Sequence, residues 1–229
     1  LMWHATHDEL TGLHNRSALL QRLRDLYDDP AQPAFALILL DVDRFKLFND
    51  AHGPAVGDEV LKALSAQLLQ TLGERAELMR LGEDEFALLL IAPDVHVAAS
   101  QITTDIQTLL TQPLTLSAHR FFLDVSMGVA PHPGVATSPY ALLQAANAAM
   151  RDAKHLPGTS VQWATEAGRH GLAAFFDAEQ ALRAGFEKDE FTLVYQPKVA
   201  AAGHHIVGFE ALVRWDRPGI GRINPMDFI

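Results

Sequence analysis

The sequence predicts an α/β fold in which helices flank a mixed sheet. Amphipathic helical stretches alternate with short apolar runs that suit buried strands, and two of these runs lie close enough to form a hairpin. The longest apolar runs, at residues 35–40 and 86–92, are too short to span a bilayer. We therefore expect a helix-flanked sheet and no membrane segment in this chain.

The individual elements are predicted from apolar spacing and from capping residues. Residues 15–28 carry apolar side chains at helical spacing, with Asn15 or Ser17 as the cap. Residues 35–43 form a continuous apolar run that is typical of a buried strand. The same criteria predict helices at 56–72, 94–111 and from Ser138-Pro139 to 154 or 155, and strands at 77–81, 86–92, 119–132 and 161–163.

A second unit is predicted after Trp163, where the pattern restarts. Thr165 is suited to cap a helix that continues to about residue 187, and strands follow at 191–199 and 206–215, joined by a turn at Gly203. We place a domain boundary near residue 163, which gives units 1–163 and 164–229. The second unit is too small for a domain core, so we expect the chain to be a piece of a longer protein.

Composition excludes several classes of function. The chain has 229 residues, no cysteine and a formal net charge of −10. The negative charge argues against a general nucleic-acid binder, and the lack of cysteine excludes disulfides and thiolate metal sites. The histidines have no third ligand at zinc-binding spacing. We expect a cytoplasmic location, while an upstream membrane anchor in the parent protein stays open.

Charged side chains are predicted to gather at one edge of the sheet. Asp41 comes at the end of a buried strand, and Asp84 lies in the acidic tip of the predicted hairpin. If the hairpin lies beside that strand, the two carboxylates suit Mg²⁺, which takes its remaining oxygens from phosphate and water. Lys46 and Lys154 can meet phosphate, and Asn49 with Asp58 can contact a guanine edge. Singly, each has an ordinary explanation: Lys46 as a solvated helix residue, Asn49 as a cap, Asp58 as an N-terminal helix charge.

Five motifs in order resemble those of GGDEF domains. They are DELTGLHNR (8–16), DVDRFKLFND (41–50), GD (57–58), RLGEDEF (80–86) and AMRDAK (149–154). The resemblance covers about residues 1 to 163. It implies the fold of nucleotidyl cyclases and polymerase palms. Active members bind one GTP each and join two across a homodimer, producing cyclic di-GMP and pyrophosphate.

The resemblance also implies roles for residues at matching positions. The expected ligands of Mg²⁺ or Mn²⁺ are Asp41, the carbonyl of Val42 and Asp84. Glu85 is expected to assist at the reacting end of the nucleotide. The expected nucleotide contacts are the backbone of Arg44 and Phe45, the side chains of Lys46, Asn49, Asp58 and Lys154, and the tip at Gly82.

The chain departs from the family pattern in four places. Glu83 stands where the family has a second glycine, which allows unusual φ angles and a close approach to the nucleotide. We therefore expect binding to survive and turnover to suffer. The late motif reads AKHLPGTS and lacks the family's arginine, and Arg151 replaces the usual tyrosine. Residues 73–76 read GERA in place of the RxxD of the inhibitory product site, so we expect no product inhibition there.

The second unit resembles the beginning of an EAL domain, a cyclic di-GMP phosphodiesterase. EFTLVYQPKV (190–199), FEALVRW (209–215) and INPMDFI (223–229) match its first motifs. The resemblance makes Glu210 a metal ligand and places Gln196, Leu212 and Arg214 in the cyclic di-GMP pocket. EAL domains are (β/α)₈ barrels of about 250 residues, so only the start of a barrel is present.

Three functions remain open from the sequence. The first is a regulatory GTP-binding module with reduced or lost cyclase activity that controls an attached phosphodiesterase. The second is a working diguanylate cyclase in a bifunctional protein. The third is a dimerisation scaffold that binds no nucleotide.

Overall fold

The structure is a computed structural model in which residues 5–116, 119–134, 136–165, 184–200, 205–218 and 221–223 are described. The chain divides into two compact units, residues 1–169 and 170–229. The division falls outside the described ranges, so the boundary near residue 163 stays a prediction. No described helix is both long and apolar enough to cross a membrane.

The first unit is a five-stranded mixed sheet with helices on both faces, as predicted. The strand order is β2-β3-β1-β6-β7; only the β6–β7 pair is parallel, and β4 and β5 form a separate hairpin. The elements are α1 (Arg16–Asp28), β1 (Phe35–Val42), α2 (Phe45–His52), α3 (Pro54–Leu72), β2 (Glu77–Arg80), β3 (Glu85–Ile91), α4 (Val95–Leu110), β4 (Leu114–Leu116), β5 (His119–Phe121), β6 (Val125–His132), α5 (Pro139–Ala153) and β7 (Ser160–Trp163).

Side-chain caps begin three of the helices. The Asn15 side chain accepts hydrogen bonds from the backbone of Ser17 and Ala18 at the start of α1. Asp94 and Ser138 do the same for α4 and α5. Such caps satisfy backbone N–H groups that have no partner within the helix. The predicted starts of these helices are confirmed.

Strand β1 lies at the centre of the core because its two faces bury different side chains. Ala36, Ile38 and Leu40 pack into one hydrophobic cluster with α3 and α4, whereas Phe35, Leu37 and Leu39 pack into another with α1 and α5. All six are at most 1% exposed, as expected for a strand covered on both faces. The rigid strand ends at Asp41 and Val42, which fixes the position of both residues.

The structure differs from one local prediction and contains two further elements that were not predicted. Residues 119–132 were expected to form one strand, but β5 ends at Phe121 and β6 begins at Val125. The alternating pattern continues through this break, so it gives no sign that the backbone leaves the sheet. Helix α2 and strand β4 were not predicted, since each is too short for a clear periodic signal.

The second unit contains three antiparallel strands in the order β10-β9-β8: β8 (Phe191–Val199), β9 (Ile206–Arg217) and β10 (Gly221–Ile223). Trp215 in β9 is buried, and the indole N–H of Trp215 donates a hydrogen bond to the Glu190 carboxylate at 3.0 Å. The first two strands were predicted. Most of the predicted helix at 165–187 and the turn at Gly203 lie outside the described residues, although residues 184–187 are helical.

Candidate functional site

The acidic tip of the β2–β3 hairpin lies beside the end of β1. Asp41 pairs directly with Glu85 in the β1–β3 register, and the backbone N–H of Val42 donates to the Asp84 carbonyl at 3.1 Å. The hairpin is closed by a bond from the Leu81 N–H to the Glu85 carbonyl at 2.8 Å. Backbone pairing therefore fixes the tip, and brings the carboxylates of Asp41 and Asp84 into one region.

Lys154 forms an ion pair across this region. It directly follows α5, and its Nζ lies 2.8 Å from the Asp41 carboxylate. The Asp41 side chain is 14% exposed and that of Lys154 is 41% exposed. Lys154 therefore reaches inward from the surface and neutralises one carboxylate of the group.

The environment of Asp43, Asp84 and Glu85 disfavours the ionised form of their carboxyl groups. Burial raises the pKa of Asp84, and the nearby Asp41 carboxylate raises it further. Burial also raises the pKa of Glu85, although Arg16 opposes this effect with a guanidinium 3.9 Å away. For Asp43, burial again raises the pKa, and the hydrogen bond from Ser126 at 2.8 Å works against it.

This cluster fits a hard divalent cation. Two carboxylates and the Val42 carbonyl supply oxygen ligands of the kind that Mg²⁺ prefers. Within the described ranges, no three His, Cys, Asp or Glu side chains gather as a complete metal site. A Mg²⁺ site that draws its other ligands from phosphate and water needs no such set. The mutual repulsion of the carboxylates is the feature that a cation would relieve.

The turn after β1 is held in an unusual backbone conformation. Arg44 has φ 58° and ψ 24° and precedes α2, where Phe45 is buried. Left-handed φ values are uncommon for residues other than glycine and occur often at functional turns. Lys46 is exposed and makes no hydrogen bond or ion pair in the described part of the chain. The first N–H groups of α2 and the Lys46 ammonium are thus available for an anion.

A cavity of about 590 Å³ opens beside these residues. Asp41, Asp43, Asp124 and Lys154 contribute its charged wall. Leu47, Phe122 and Leu156 are exposed apolar side chains at its margin. The predicted guanine contacts do not line it: Asn49 lies on α2 and Asp58, which is exposed, lies on α3. Of the predicted metal and phosphate contacts, Asp41, Val42, Arg44, Phe45 and Lys154 line the cavity, whereas Asp84 and Lys46 do not.

The tip itself accommodates Glu83 without backbone strain. Gln32, Arg44 and Asp189 are the non-glycine residues with positive φ among those described, so Glu83 is not one of them. Gly82 also has an ordinary φ, and a Cβ on it would meet no atom within 4 Å. Glu83 therefore has an ordinary φ in this structure, and its effect on turnover stays a prediction. The Glu83 side chain is exposed, so its effect is one of charge and bulk at the surface.

Arg80 connects the tip to the N-terminal turn, which sequence reasoning did not predict. Its Nη1 donates to both carboxylate oxygens of Asp8 at 2.9 Å, and its Nη2 donates to the Glu83 carbonyl at 2.8 Å. The Arg80 side chain is only 9% exposed. Arg80 ends an otherwise apolar strand, and this position could have indicated the contact. A buried guanidinium requires hydrogen-bond partners, so a carboxylate was to be expected nearby.

The segment at residues 73–76 is occupied by internal contacts. Its cation, Arg75, donates to Asp105 at 2.7 Å and to the Thr71 carbonyl at 2.6 Å. Gly73 ends α3 with φ 56°. The absence of product binding there stays a prediction.

The described EAL-like residues share one face of the β8–β9 pair. Gln196 lies directly opposite Glu210 in the register, and Leu212 and Arg214 follow at alternate positions of β9. Glu210 lies 3.3 Å from Lys198, and Arg214 donates to the Val213 carbonyl at 2.9 Å. The structure therefore brings these four residues together, while their roles stay predicted.

Comparison with known proteins identifies the larger unit. Residues 5–159 match the sequence model described as "Diguanylate cyclase, GGDEF domain", which covers more than half of the chain. The chain belongs to the GGDEF family. Residues 179–229 match the EAL domain model, so the GGDEF domain is followed by the beginning of an EAL domain.

Relatives of this GGDEF chain include two named proteins. It is 32% identical to the bifunctional diguanylate cyclase/cyclic di-GMP phosphodiesterase MucR of Pseudomonas aeruginosa, over 98% of this chain and 33% of MucR. It is 31% identical to the cyclic di-GMP phosphodiesterase PdeR of Escherichia coli, over 98% of this chain and 34% of PdeR. The chain thus spans about a third of the length of these relatives.

A solved structure of a related GGDEF domain has the same fold. The GGDEF-only form of TpbB (YfiN) from Pseudomonas aeruginosa superimposes with a TM-score of 0.67 at 34% identity. The match covers 73% of this chain and 99% of the TpbB domain. The predicted GGDEF fold is confirmed.

Proposed function

We propose that the GGDEF domain binds GTP with Mg²⁺ or Mn²⁺ and regulates an attached EAL phosphodiesterase, with slow or absent cyclase activity of its own. The observation that carries this proposal is the group of half-buried carboxylates at the end of β1, where the pKa of Asp84 is raised by burial and by Asp41. Such an arrangement favours a bound cation, and a cation favours a triphosphate. The match of residues 179–229 to the EAL domain supports the attached enzyme.

Each residue of the site has a role in this proposal. Asp41, the Val42 carbonyl and Asp84 would hold the cation, which would neutralise phosphate charge. Lys154 would exchange Asp41 for a phosphate oxygen, because both are anions and Asp41 would then have the cation. The backbone N–H groups of Arg44 and Phe45 and the Lys46 ammonium would bind other phosphate oxygens.

Glu83 is the reason to expect slow turnover. Its exposed carboxylate adds to the charges that raise the pKa of Asp84. A negative charge next to the triphosphate opposes the approach of a second nucleotide and its alignment for attack. GTP binding would depend on Asp41 and Asp84, which are less exposed than Glu83, and on Lys154, so we expect binding to be retained.

An active diguanylate cyclase in a bifunctional protein is the alternative. Asp84, Glu85 and Phe86 are all present, and the relative MucR is described as having both activities. A homodimer would be required, since two GTP molecules must be joined. Cyclic di-GMP would then be the product of one domain and the substrate of the complete EAL domain.

Calorimetry and product analysis test the proposal with the Glu83→Gly variant as the matched control. We expect GTP binding that requires Mg²⁺, and cyclic di-GMP formation well below about 1 s⁻¹ in the unmodified chain. Glu83→Gly should increase product formation and lower the unfolding midpoint only slightly, because glycine adds entropy to the unfolded chain. Rapid formation by the unmodified chain would support the alternative. A lack of GTP binding would leave a dimerisation scaffold and would reject both nucleotide functions.

A further inference from the structure

A buried hydroxyl group, that of Ser126 in β6, holds the Asp43 carboxylate. Ser126 lies directly opposite Asp41 in the β1–β6 register. Its hydroxyl nevertheless donates to Asp43, with Oγ 2.8 Å from Oδ1. Ser126 is 0% exposed, so water does not compete for this hydrogen bond. A serine hydroxyl has a single proton to donate, and Asp43 receives it.

The backbone of Asp43 is fixed by the same segment of the chain. The Asp43 N–H donates to the Asp124 carbonyl at 2.9 Å, and β6 begins at the next residue. Asp43 is thus held through its main chain and its side chain by residues 124–126. These contacts fix the carboxylate just before the left-handed turn at Arg44.

The partner of Asp41 is of a different kind. Asp41 pairs with Lys154 at 2.8 Å, and the Lys154 side chain is 41% exposed. An ammonium group on an exposed, flexible side chain can move away when a cation arrives. The Ser126 hydroxyl is fixed on a buried strand and cannot. Of the two carboxylates, Asp41 can exchange its partner, whereas Asp43 is restrained.

This difference matters because Asp41 and Asp43 line the same cavity. The pKa of Asp43 is raised first by burial and also by the Asp41 carboxylate, so the two charges interact. Mg²⁺ at nucleotide sites takes one or two carboxylates and fills its other positions with phosphate and water, and each further anionic ligand strengthens metal binding. A third carboxylate beside Asp41 and Asp84 would therefore hold the cation without a nucleotide and take the place of a phosphate oxygen.

We propose that Ser126 is a positioning residue that keeps the Asp43 carboxylate away from the cation, so that the cation binds tightly only together with a nucleotide. The hydroxyl acts through Asp43. The inference rests on the proposed function, in which Asp41, the Val42 carbonyl and Asp84 hold the cation. It adds the feature that limits the number of protein ligands.

The test is Mn²⁺ binding to the 229-residue chain without nucleotide, measured by the loss of the electron paramagnetic resonance signal of the free ion. In Ser126→Ala, Asp43 loses its donor and becomes available as a ligand. We expect Mn²⁺ to bind about tenfold more tightly. The affinity for GTP at saturating Mn²⁺ should fall in the same variant. A merely structural defect would weaken both, so the opposite signs are decisive.

Ser65→Ala is the matched control. Ser65 is 4% exposed, and its hydroxyl donates to the Leu61 carbonyl at 2.7 Å within α3, which carries none of the proposed metal ligands. Its loss removes a buried hydroxyl and should leave Mn²⁺ binding unchanged. The double variant Ser126→Ala Asp43→Asn lacks the added anion and should lose the gain. If Ser126→Ala does not fold, Ser126→Cys decides, because a thiol is a weaker donor and should give a smaller gain in the same direction.

The outcomes distinguish the inference from the function on which it rests. If the unmodified chain binds no Mn²⁺ in the presence of GTP, the proposed function fails and the inference fails with it. If it does, but Ser126→Ala and Ser65→Ala have equal Mn²⁺ affinities without nucleotide, only the inference is overturned. A gain that persists in the double variant would also overturn it, because Asp43 would not be the added ligand.

Discussion

The Asp41–Lys154 ion pair sits within a group of carboxylates that carries more negative charge than this lysine neutralises. Lys154 bonds to Asp41 at 2.8 Å, while Asp43, Asp84 and Glu85 all have a raised pKa for which burial is the first cause. Repulsion between neighbouring anions is relieved by a divalent ion more effectively than by one ammonium group. At the scale of single residues, this excess of negative charge supports the proposed cation site.

We predict that Asp84→Asn weakens Mg²⁺-dependent GTP binding about tenfold, because one anionic ligand is lost. Glu83→Gln is the control, since it removes the neighbouring charge from an exposed side chain. GTP titrations at several Mg²⁺ concentrations would measure both variants. Equal affinities for Asp84→Asn and the unmodified chain would show that the metal is placed wrongly.

At the scale of elements, the N-terminal turn and the acidic hairpin are connected through Asp8 and Arg80. Burial raises the pKa of Asp8, but hydrogen bonds from Thr11 and Arg80 outweigh this and hold the pKa below its usual value. A carboxyl group whose pKa is lower in the folded state stabilises the fold above its unfolded pKa of about 3.9. That contribution is lost as the pH falls through the folded value.

We predict that Asp8→Asn lowers the free energy of unfolding by about 2 kcal/mol at pH 7, because Arg80 would lose its charged partner. The difference between variant and unmodified chain should shrink as the pH falls below about 4. Urea denaturation at several pH values measures it. Glu74→Gln removes a charge from an exposed loop and should have little effect at any of them. A difference that does not depend on pH would contradict the ion-pair explanation.

The packing of α5 on the sheet depends on Gly128 in β6. A Cβ there would collide with the Ala146 carbonyl and with the backbone nitrogen of Met150. We predict that Gly128→Ala destabilises the domain by about 3 kcal/mol, because backbone atoms cannot move aside as a flexible side chain can. Gly82→Ala, where the added carbon meets no atom within 4 Å, should change stability by less than about 0.5 kcal/mol. Urea denaturation compares the two, and similar effects would reject the packing argument.

The elements with long periodic patterns were the ones that the sequence predicted well. Apolar spacing and a capping side chain located α1 and α5, and the continuous apolar run located β1. The break at residues 122–124 was missed because backbone departure from a sheet leaves the side-chain pattern intact. In the candidate site, ordered motifs indicated Asp41, Asp84 and Lys154. The role of Arg80 depends on its contact with Asp8, which lies 72 residues away in the sequence, and no local pattern encodes such a contact.

At the scale of the whole molecule, the question is whether the GGDEF domain influences the EAL segment that comes after it in the chain. Lys154 directly follows α5, and a short loop separates it from β7, after which the chain continues toward the EAL segment. A ligand alters a distant activity when it favours one of two arrangements of the protein. Binding of GTP and metal would change the partner of Lys154. This change could favour one arrangement of the segment that connects Lys154 to the EAL segment.

We predict that GTP increases the cyclic di-GMP phosphodiesterase activity of the full-length parent, while the 229-residue chain alone hydrolyses none. The measurement is hydrolysis across a GTP titration, in the presence of Mg²⁺. An Asn49→Ala Asp58→Ala variant of the parent serves as the control that should not respond. No change in hydrolysis, in a parent shown to bind GTP, would remove the regulatory role from the proposal.

The relaxed backbone at Glu83 has a consequence for how this family diversifies. Because the tip holds an exposed glutamate at an ordinary φ, a lineage can exchange glycine and glutamate there without first acquiring compensating substitutions. Selection on stability is then weak at this position, since the exchange changes mainly the entropy of the unfolded chain. If Glu83 slows the cyclase as proposed, a change of this one residue would separate descendants that synthesise from descendants that only sense, and the same step would be open in reverse.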